Sequence, residues 1–197
     1  MNLNLNKNPK ITIITVVKNN EKYLEENIKS LINQTYQNYE HIIVDGLSTD
    51  KTMDIITRYK NKIHKIISER DNGLYDAINK GIQNASGDII GILNSDDYFY
   101  KDALNIVRKY FESFSDIDFL FGTVFKHKIL HGYKPWKIKW TFGFYTTHSV
   151  GFFIKKNSQW KVGLYNLNYK YSSDYDLFYR MIVKLKMKGM ATKKKRF

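Results

Sequence analysis

The chain contains no cysteine. That excludes a disulfide framework and any thiolate metal site, and it is compatible with a reducing compartment. No apolar run approaches the roughly 20 residues of a membrane span. The opening MNLNLNKNPK lacks the apolar core of a secretory signal. A cytoplasmic protein, soluble or at most peripheral on a membrane, is the expectation. Neither G-x-G-x-x-G nor G-x-x-x-x-G-K-[ST] follows any apparent strand, which argues against a dinucleotide site or a P-loop. Acid is missing from one long stretch, since none lies between Asp118 and Asp174. Residues 1–100 hold 12 Lys/Arg against 13 Asp/Glu and residues 101–197 hold 20 against 6, so the net +13 belongs to the second half. Such asymmetry points to an anionic partner there, or to a Lys-rich solvated surface. Nucleic acid is disfavoured as that partner, because no RNA or DNA motif accompanies the charge.

What is present can fold. With 43% hydrophobic and 15% aromatic residues in 197, one domain with a real core is expected. Residues 1–9 are polar and Asn-rich and read as a frayed terminus. Lys10–Val17 is almost wholly β-branched, the mark of a central strand. A helix follows, with Leu24, Ile28, Leu31 and Ile32 as its apolar stripe. A strand at Tyr39–Val44 comes next, then a helix with Met53, Ile56 and Tyr59/Lys60 on one face. A short strand at Ile63–Ser68 precedes a helix facing Leu74, Ala77, Ile78, Gly81 and Ile82 inward. Ile89–Leu93 completes βαβαβαβ, the signature of a parallel, doubly wound sheet. Every strand ends in acidic, amide or Gly residues, so Lys18–Asn20, Asp45–Asp50, Glu69–Gly73 and Asn94–Asp97 converge on one crevice.

The adjacent Asp96 and Asp97 repel each other unless a cation lies beside them. A divalent ion holding a phosphate would serve, using hard oxygen ligands; a solvated turn is the plain alternative. Downstream, Ala103–Phe111 reads as a helix, Ile117–Val124 and Ser149–Ile154 as strands, and 125–147 as irregular. Ser172–Asp176 opens a helix whose stripe is Leu177, Phe178, Met181, Ile182 and Leu185, with Ser173 and Asp176 spaced like a capping box. Trp136, Trp140, Tyr145 and Trp160 are candidates to stack on an acceptor, or core.

Five stretches resemble family 2 glycosyltransferases with the GT-A fold, of the bacterial surface-polysaccharide type. They are ITIITVVKNN (11–20), the loop at Gln34-Thr35-Tyr36, HIIVDGLSTDKT (41–52), ISERDNGLYDAINKGIQNASGDIIGILNSDDYFY (67–100) and SSDYDLFYR (172–180). The first hundred residues match specifically and the second half loosely. The resemblance implies an α/β GT-A fold, a Rossmann-like, mostly parallel sheet flanked by helices with a smaller mixed acceptor-side region. It implies a donor half (10–100), an acceptor half of the same domain (101–183) and a basic tail (184–197) that stops short of where the family often continues. It also implies inverting transfer from a UDP-sugar to a saccharide or lipid-linked acceptor, assisted by Mn²⁺ or Mg²⁺. The donor nucleotide then falls to Val17, Asn19, Asp45, Ser48, Asp71, Lys80, Asn94 and Asp96, with Asp45 accepting from the uracil ring. Asn94 stands where the family's D-x-D metal motif has its first acid, leaving Asp97 as the direct metal ligand, with His148 as a further contact. Asp174 matches the catalytic base, favoured in its charged form by the first turn of a helix, while Asp176 caps. The basic, aromatic end is also suited to an anionic membrane. The rival reading is a truncated or degenerate protein that binds a nucleotide sugar without transferring it.

Overall fold

The computed structural model describes residues 8–126, 128–130, 132–139 and 151–196. Ile11–Val17 (β1) is buried at every position, as a β-branched strand covered on both faces must be. Leu24–Ile32 (α1) buries Leu24, Ile28 and Leu31, and Asn27 with them. Tyr39–Asp45 (β2) leads into Thr52–Arg58 (α2), which buries Thr52, Ile55 and Ile56. That face is turned from the expected one: Met53 and Tyr59 pack only at its margin, and Lys60 is exposed in a 3-10 turn. Lys65–Ser68 (β3) is a largely exposed edge strand. Leu74–Asn84 (α3) buries Ala77, Ile78, Gly81 and Ile82 as its periodicity predicts. Leu74, expected inward, is 52% exposed. It is the first helical residue after Gly73 and lies at the mouth of a crevice rather than over the sheet. Ile89–Ile92 (β4) is again wholly buried.

The second half continues with Ala103–Ser113 (α4), Phe119–Lys126 (β5), Lys128–Leu130 (β6), a 3-10 turn at Pro135–Lys139 and Phe152–Lys155 (β7). Lys156–Val162 (α5), Ser173–Tyr179 (α6) and Gly189–Arg196 (β8) complete it. The sheet order is β3-β2-β1-β4-β7-β5-β6, with β8 alongside β5. Strands β1 to β4 are mutually parallel, in registers such as Val17 opposite Asp45 and Ile14 opposite Ile92. Strand β7 is antiparallel to both β4 and β5, so β5 and its parallel partner β8 point the same way as β1 to β4. One apolar cluster joins Ile14, Val16 and Ile42 to Phe119, Phe121, Phe152 and Phe178, so the two halves share a core.

The end of the chain differs from expectation. The basic run is not a tail from Gly189 onward but strand β8, which pairs with backbone groups of β5 that would otherwise be an open edge. Thr192 is buried there beside Thr123. The stripe expected to run through Leu185 in one helix is interrupted, since Arg180–Lys184 forms a π turn after α6. The capping box does not form either. Asp176 pairs with Arg180 at 2.8 Å, and the buried Ser173 hydroxyl has no partner among the described residues. No helix among the described residues is long and apolar enough to cross a membrane.

Candidate functional site

The strand order reverses at β1, whose neighbours are β2 on one side and β4 on the other. Open α/β sheets bind ligands at the carboxyl edge of such a switch point. A crevice of about 400 Å³ lies there, walled by Val17 at the end of β1 and Lys18 after it, Asp71, Gly73 and Leu74 before and within α3, and Asn94 and Asp96 after β4. Of the expected donor residues, the structure therefore gathers Val17, Asp71, Asn94 and Asp96 on one wall system.

The others serve the loops behind that wall. Asn19 donates its backbone N–H to the Ser48 hydroxyl at 2.8 Å, and its side-chain oxygen accepts from the Thr49 amide at 2.7 Å. These bonds fasten the β1 loop to the β2 loop. Asp45 is fully buried; its carboxylate accepts from the Ser48 amide at 3.2 Å and the Ser68 hydroxyl at 2.7 Å. Lys80 donates to the Arg70 carbonyl at 2.6 Å and pairs with Glu69 at 3.0 Å, bracing the β3–α3 loop. Burial opposes its charge, but Glu69, Asp76 and Asp71 outweigh that and raise its pKa above the ordinary value.

Gly46, which sequence reasoning passed over, lets the two loops close. A Cβ there would meet the Asp71 Oδ2 at 2.3 Å and the Lys18 Cδ at 3.3 Å. Asn27 was likewise missed. Its amide donates to the carbonyls of Asn94 and Asp97 at 2.8 Å each, holding the acidic loop from beneath. A buried Asn on the apolar stripe of α1 was the available signal.

Asp96 is exposed at the crevice, and among the described residues its carboxylate takes no hydrogen bond. Asp97 is half-buried, and its Oδ2 accepts from the Asn94 amide at 3.1 Å. No group of three or more His, Cys, Asp or Glu suited to a metal occurs among the described residues. The oxygens present nevertheless fit a Mg²⁺- or Mn²⁺-like ion, which typically takes one or two carboxylates and completes its shell with phosphate oxygens and water. His148 lies outside the described residues, as do Trp140 and Tyr145.

Asp174 stands in the first turn of α6, half-buried, its Oδ1 accepting from the Tyr175 amide at 2.8 Å. Tyr75, on α3, lies within electrostatic reach of this carboxylate. Burial first, and Asp174 second, push Tyr75 up to about 12. Tyr75 in turn stacks on Tyr165 at 5.4 Å, and Asn79 brackets the Tyr165 backbone with two bonds of 2.9 Å. The Asp174 charge thus reaches Tyr75 of α3, the neighbour of Leu74 on the crevice wall. Beside α6, a hollow of about 390 Å³ is walled by Tyr169, Tyr175, Tyr179, Asp176 and Lys184. Trp136 and Trp160, expected as stacking rings, are 62% and 46% exposed and lie elsewhere.

A parallel Rossmann-like sheet with its acids at the switch point, extended by an antiparallel region, is the GT-A fold. Comparison with solved structures agrees. Staphylococcus aureus TarS superposes with a TM-score of 0.79 at 20% identity, over 95% of this chain and 36% of that one. A crystal structure of its 1–349 segment contains UDP. The mannosyltransferase PcManGT of Pyrobaculum calidifontis, solved with GDP-Man and Mn²⁺, gives 0.72 at 18% identity, over 94% of this chain and 55% of that one.

The description of Glycosyl transferase family 2 matches residues 12–168, and the chain belongs to that family. Among curated relatives, the putative teichuronic acid biosynthesis glycosyltransferase TuaG of Bacillus subtilis is 36% identical over 99 residues, 49% of this chain and 39% of TuaG. An uncharacterized glycosyltransferase of Rickettsia typhi is 30% identical over 189 residues, 88% of this chain and 59% of the relative. The chain spans well under two thirds of the length of either.

Proposed function

We propose that this chain transfers a sugar from a UDP-sugar to a hydroxyl of a saccharide or lipid-linked acceptor, with inversion and with the help of a divalent cation. One observation carries the reading: the crevice at the switch point gathers Asp71, Asn94 and Asp96 at the carboxyl edge of the sheet. Family membership and the UDP and GDP-Man complexes of the structural neighbours support it. Residues 10–100 hold the donor and residues 101–183 present the acceptor. The surroundings, on this reading, are the cytoplasm.

Asp71, Asn94 and Asp96 frame the donor, with Val17 as the apolar floor. Asp45 is enclosed by the loop Gly46–Ser48, so its hydrogen bond to uracil requires that loop to lift. A divalent cation bound at Asp97 would neutralise charge on the departing diphosphate. Asp174 takes the proton of the acceptor hydroxyl as the new bond forms. The tyrosines beside α6 offer faces on which a sugar ring stacks, and Asp176 and Lys184 offer polar edges.

Calorimetric titration of UDP, with and without Mn²⁺, tests the donor site. Metal-dependent binding that Asp97→Ala removes is the expected result; no UDP binding under any metal condition overturns the reading. Asp174→Asn should keep UDP binding and lower transfer by roughly 10²–10⁴-fold. UDP binding in a wild type that transfers to no acceptor would favour a nucleotide-sugar-binding protein.

A further inference from the structure

Three polar side chains lie in the layer between the sheet and α1, where hydrocarbon would pack at no desolvation cost. Thr15 of β1, His41 of β2 and Asn27 of α1 are each 1% exposed or less. Burying such groups is costly unless their donors and acceptors are matched. Here they are matched in one run, and its polarity is fixed from one end. The Asn94 and Asp97 carbonyls, each 2.8 Å from the Asn27 Nδ2, can only accept from that nitrogen. The side-chain oxygen is thereby turned to the Thr15 hydroxyl, which donates to it at 3.3 Å. That uses the one hydroxyl proton, so across the 3.0 Å contact between His41 and Thr15 the ring Nε2–H donates. Burial keeps the imidazole neutral, which places its single proton on Nε2.

The run ends on the turn that carries the acids. The Asp97 amide closes this turn on the Asn94 carbonyl at 3.0 Å, and the Asn27 amide grips both of its ends. Ser30 and Gln34 hold the backbone farther on, at the Phe99 amide (3.2 Å) and the Tyr100 carbonyl (2.9 Å), past the two aspartates. We propose that Thr15 and His41 are positioning residues for the donor site: they orient the Asn27 amide, and through it fix the place of the Asn94–Asp97 turn in the crevice. None of the three lines the crevice itself. Without the Thr15 hydroxyl the Asn27 oxygen loses its donor, and nothing then holds the nitrogen toward both carbonyls. A buried run of matched dipoles gives direction where an apolar layer would give only bulk. The role in donor binding rests on the transferase reading; the orientation of the turn does not.

Calorimetric titration of UDP with Mn²⁺, paired with amide exchange at Asp97, tests this on the whole chain. Thr15→Val keeps the branched shape and removes the hydroxyl. It should weaken UDP binding roughly 10-fold, the low end for partners behind a metal site, and speed exchange at Asp97 beyond any rise at the core amides of β1. Thr15→Ser should restore both. His41→Leu should behave as Thr15→Val does, and His41→Gln, which brings an amide N–H in place of the ring donor, should behave as the wild type. If Thr15→Val fails to fold by circular dichroism, His41→Leu decides. A folded Thr15→Val that is less stable but binds UDP as the wild type does overturns the proposal. So does a Thr15→Ser no better than Thr15→Val. A wild type that binds no UDP overturns the donor reading instead. Exchange at Asp97 then judges the positioning, which stands if Thr15→Val speeds it and Thr15→Ser does not, and falls otherwise.

Discussion

Glu40 at the amino edge of the parallel sheet and Asp96 at its carboxyl edge are carboxylates used in opposite ways. At the amino edge, Glu40 is buried and saturated. It accepts from the Thr12 hydroxyl at 2.5 Å, the Ser86 amide at 2.6 Å and hydroxyl at 2.5 Å, and the Gly87 amide at 3.2 Å, and it pairs with Lys10 at 2.9 Å. At the carboxyl edge, Asp96 is exposed and takes no hydrogen bond from the described residues, while Asp71 uses Oδ1 on the Gly73 amide at 2.9 Å. A carboxylate whose oxygens are all engaged by its own chain fixes a fold. One left open at a switch point is available to a ligand. The residue type is the same; the difference lies in how many donors the chain itself supplies.

Breaking the closed edge should cost most. Glu40→Ala strands the Ser86 amide and takes from the Thr12 hydroxyl its acceptor, leaving it only the Gly87 amide, which donates to it at 2.9 Å. Denaturant unfolding should show a loss of about 3–4 kcal/mol, with UDP affinity of the remaining folded protein unchanged. A loss below about 1 kcal/mol would place Glu40 with ordinary surface ion pairs and dissolve the contrast.

Acid should probe the same edge, and the sign can be worked out. Burial opposes the Glu40 charge, yet the bonds from Ser86, Thr12 and Lys10 outweigh it and hold the carboxyl at about 2, against 4.5 ordinarily. Its contribution is whole above 4.5 and is lost as pH falls toward 2. His41, buried at 1% exposure against the Thr15 hydroxyl, is held at about 3, against 6.5, by burial first and by His64 second. The unfolded chain therefore takes up a proton below 6.5 that the folded one refuses, and stability falls from there downward. Each group contributes a slope of up to about 1.4 kcal/mol per pH unit within its window. His41→Gln should make the stability profile shallower from pH 6.5 down to about 3 and leave the part of the fall below 4.5 that Glu40 contributes. An unaltered profile would move the acid sensitivity elsewhere.

Much of this was legible in the sequence because it is written locally. The β-branched run at Ile11–Val17 and the apolar spacing of α1 and α3 give their own elements, and polar residues after successive parallel strands must meet at one edge. What is not local was not legible. Glu40 draws its donors from Thr12 and Ser86, and Tyr75 feels the charge of Asp174 from 99 positions away. Strand β8 looked like a tail because its lysines dominate its composition, while the β5 edge that it satisfies lies far back in the chain. Asn27 falls between the two cases. Its burial on α1 could be suspected, but its partners on the acidic loop could not, and Asn27→Ala should lower stability by about 2 kcal/mol and speed amide exchange at Asp97, whose loop it steadies.

The smallest effect sharpens the contrast most directly. Leu47 adopts φ +58 with a branched side chain that is 50% exposed, and Asn19, bonded to the same loop, has φ +52. A left-handed conformation costs an L-residue about 1–2 kcal/mol, and Leu gains little burial here to offset it. Both residues sit at the carboxyl edge, where strain is characteristic of segments that meet ligands. Leu47→Gly removes the steric penalty but gives the unfolded chain more freedom, so the net gain should be about 0.5 kcal/mol. Leu47→Ala keeps the strain and should change stability little. If Gly and Ala behave alike, the loop holds Leu47 without strain, and the carboxyl edge is open in its hydrogen bonds but relaxed in its backbone.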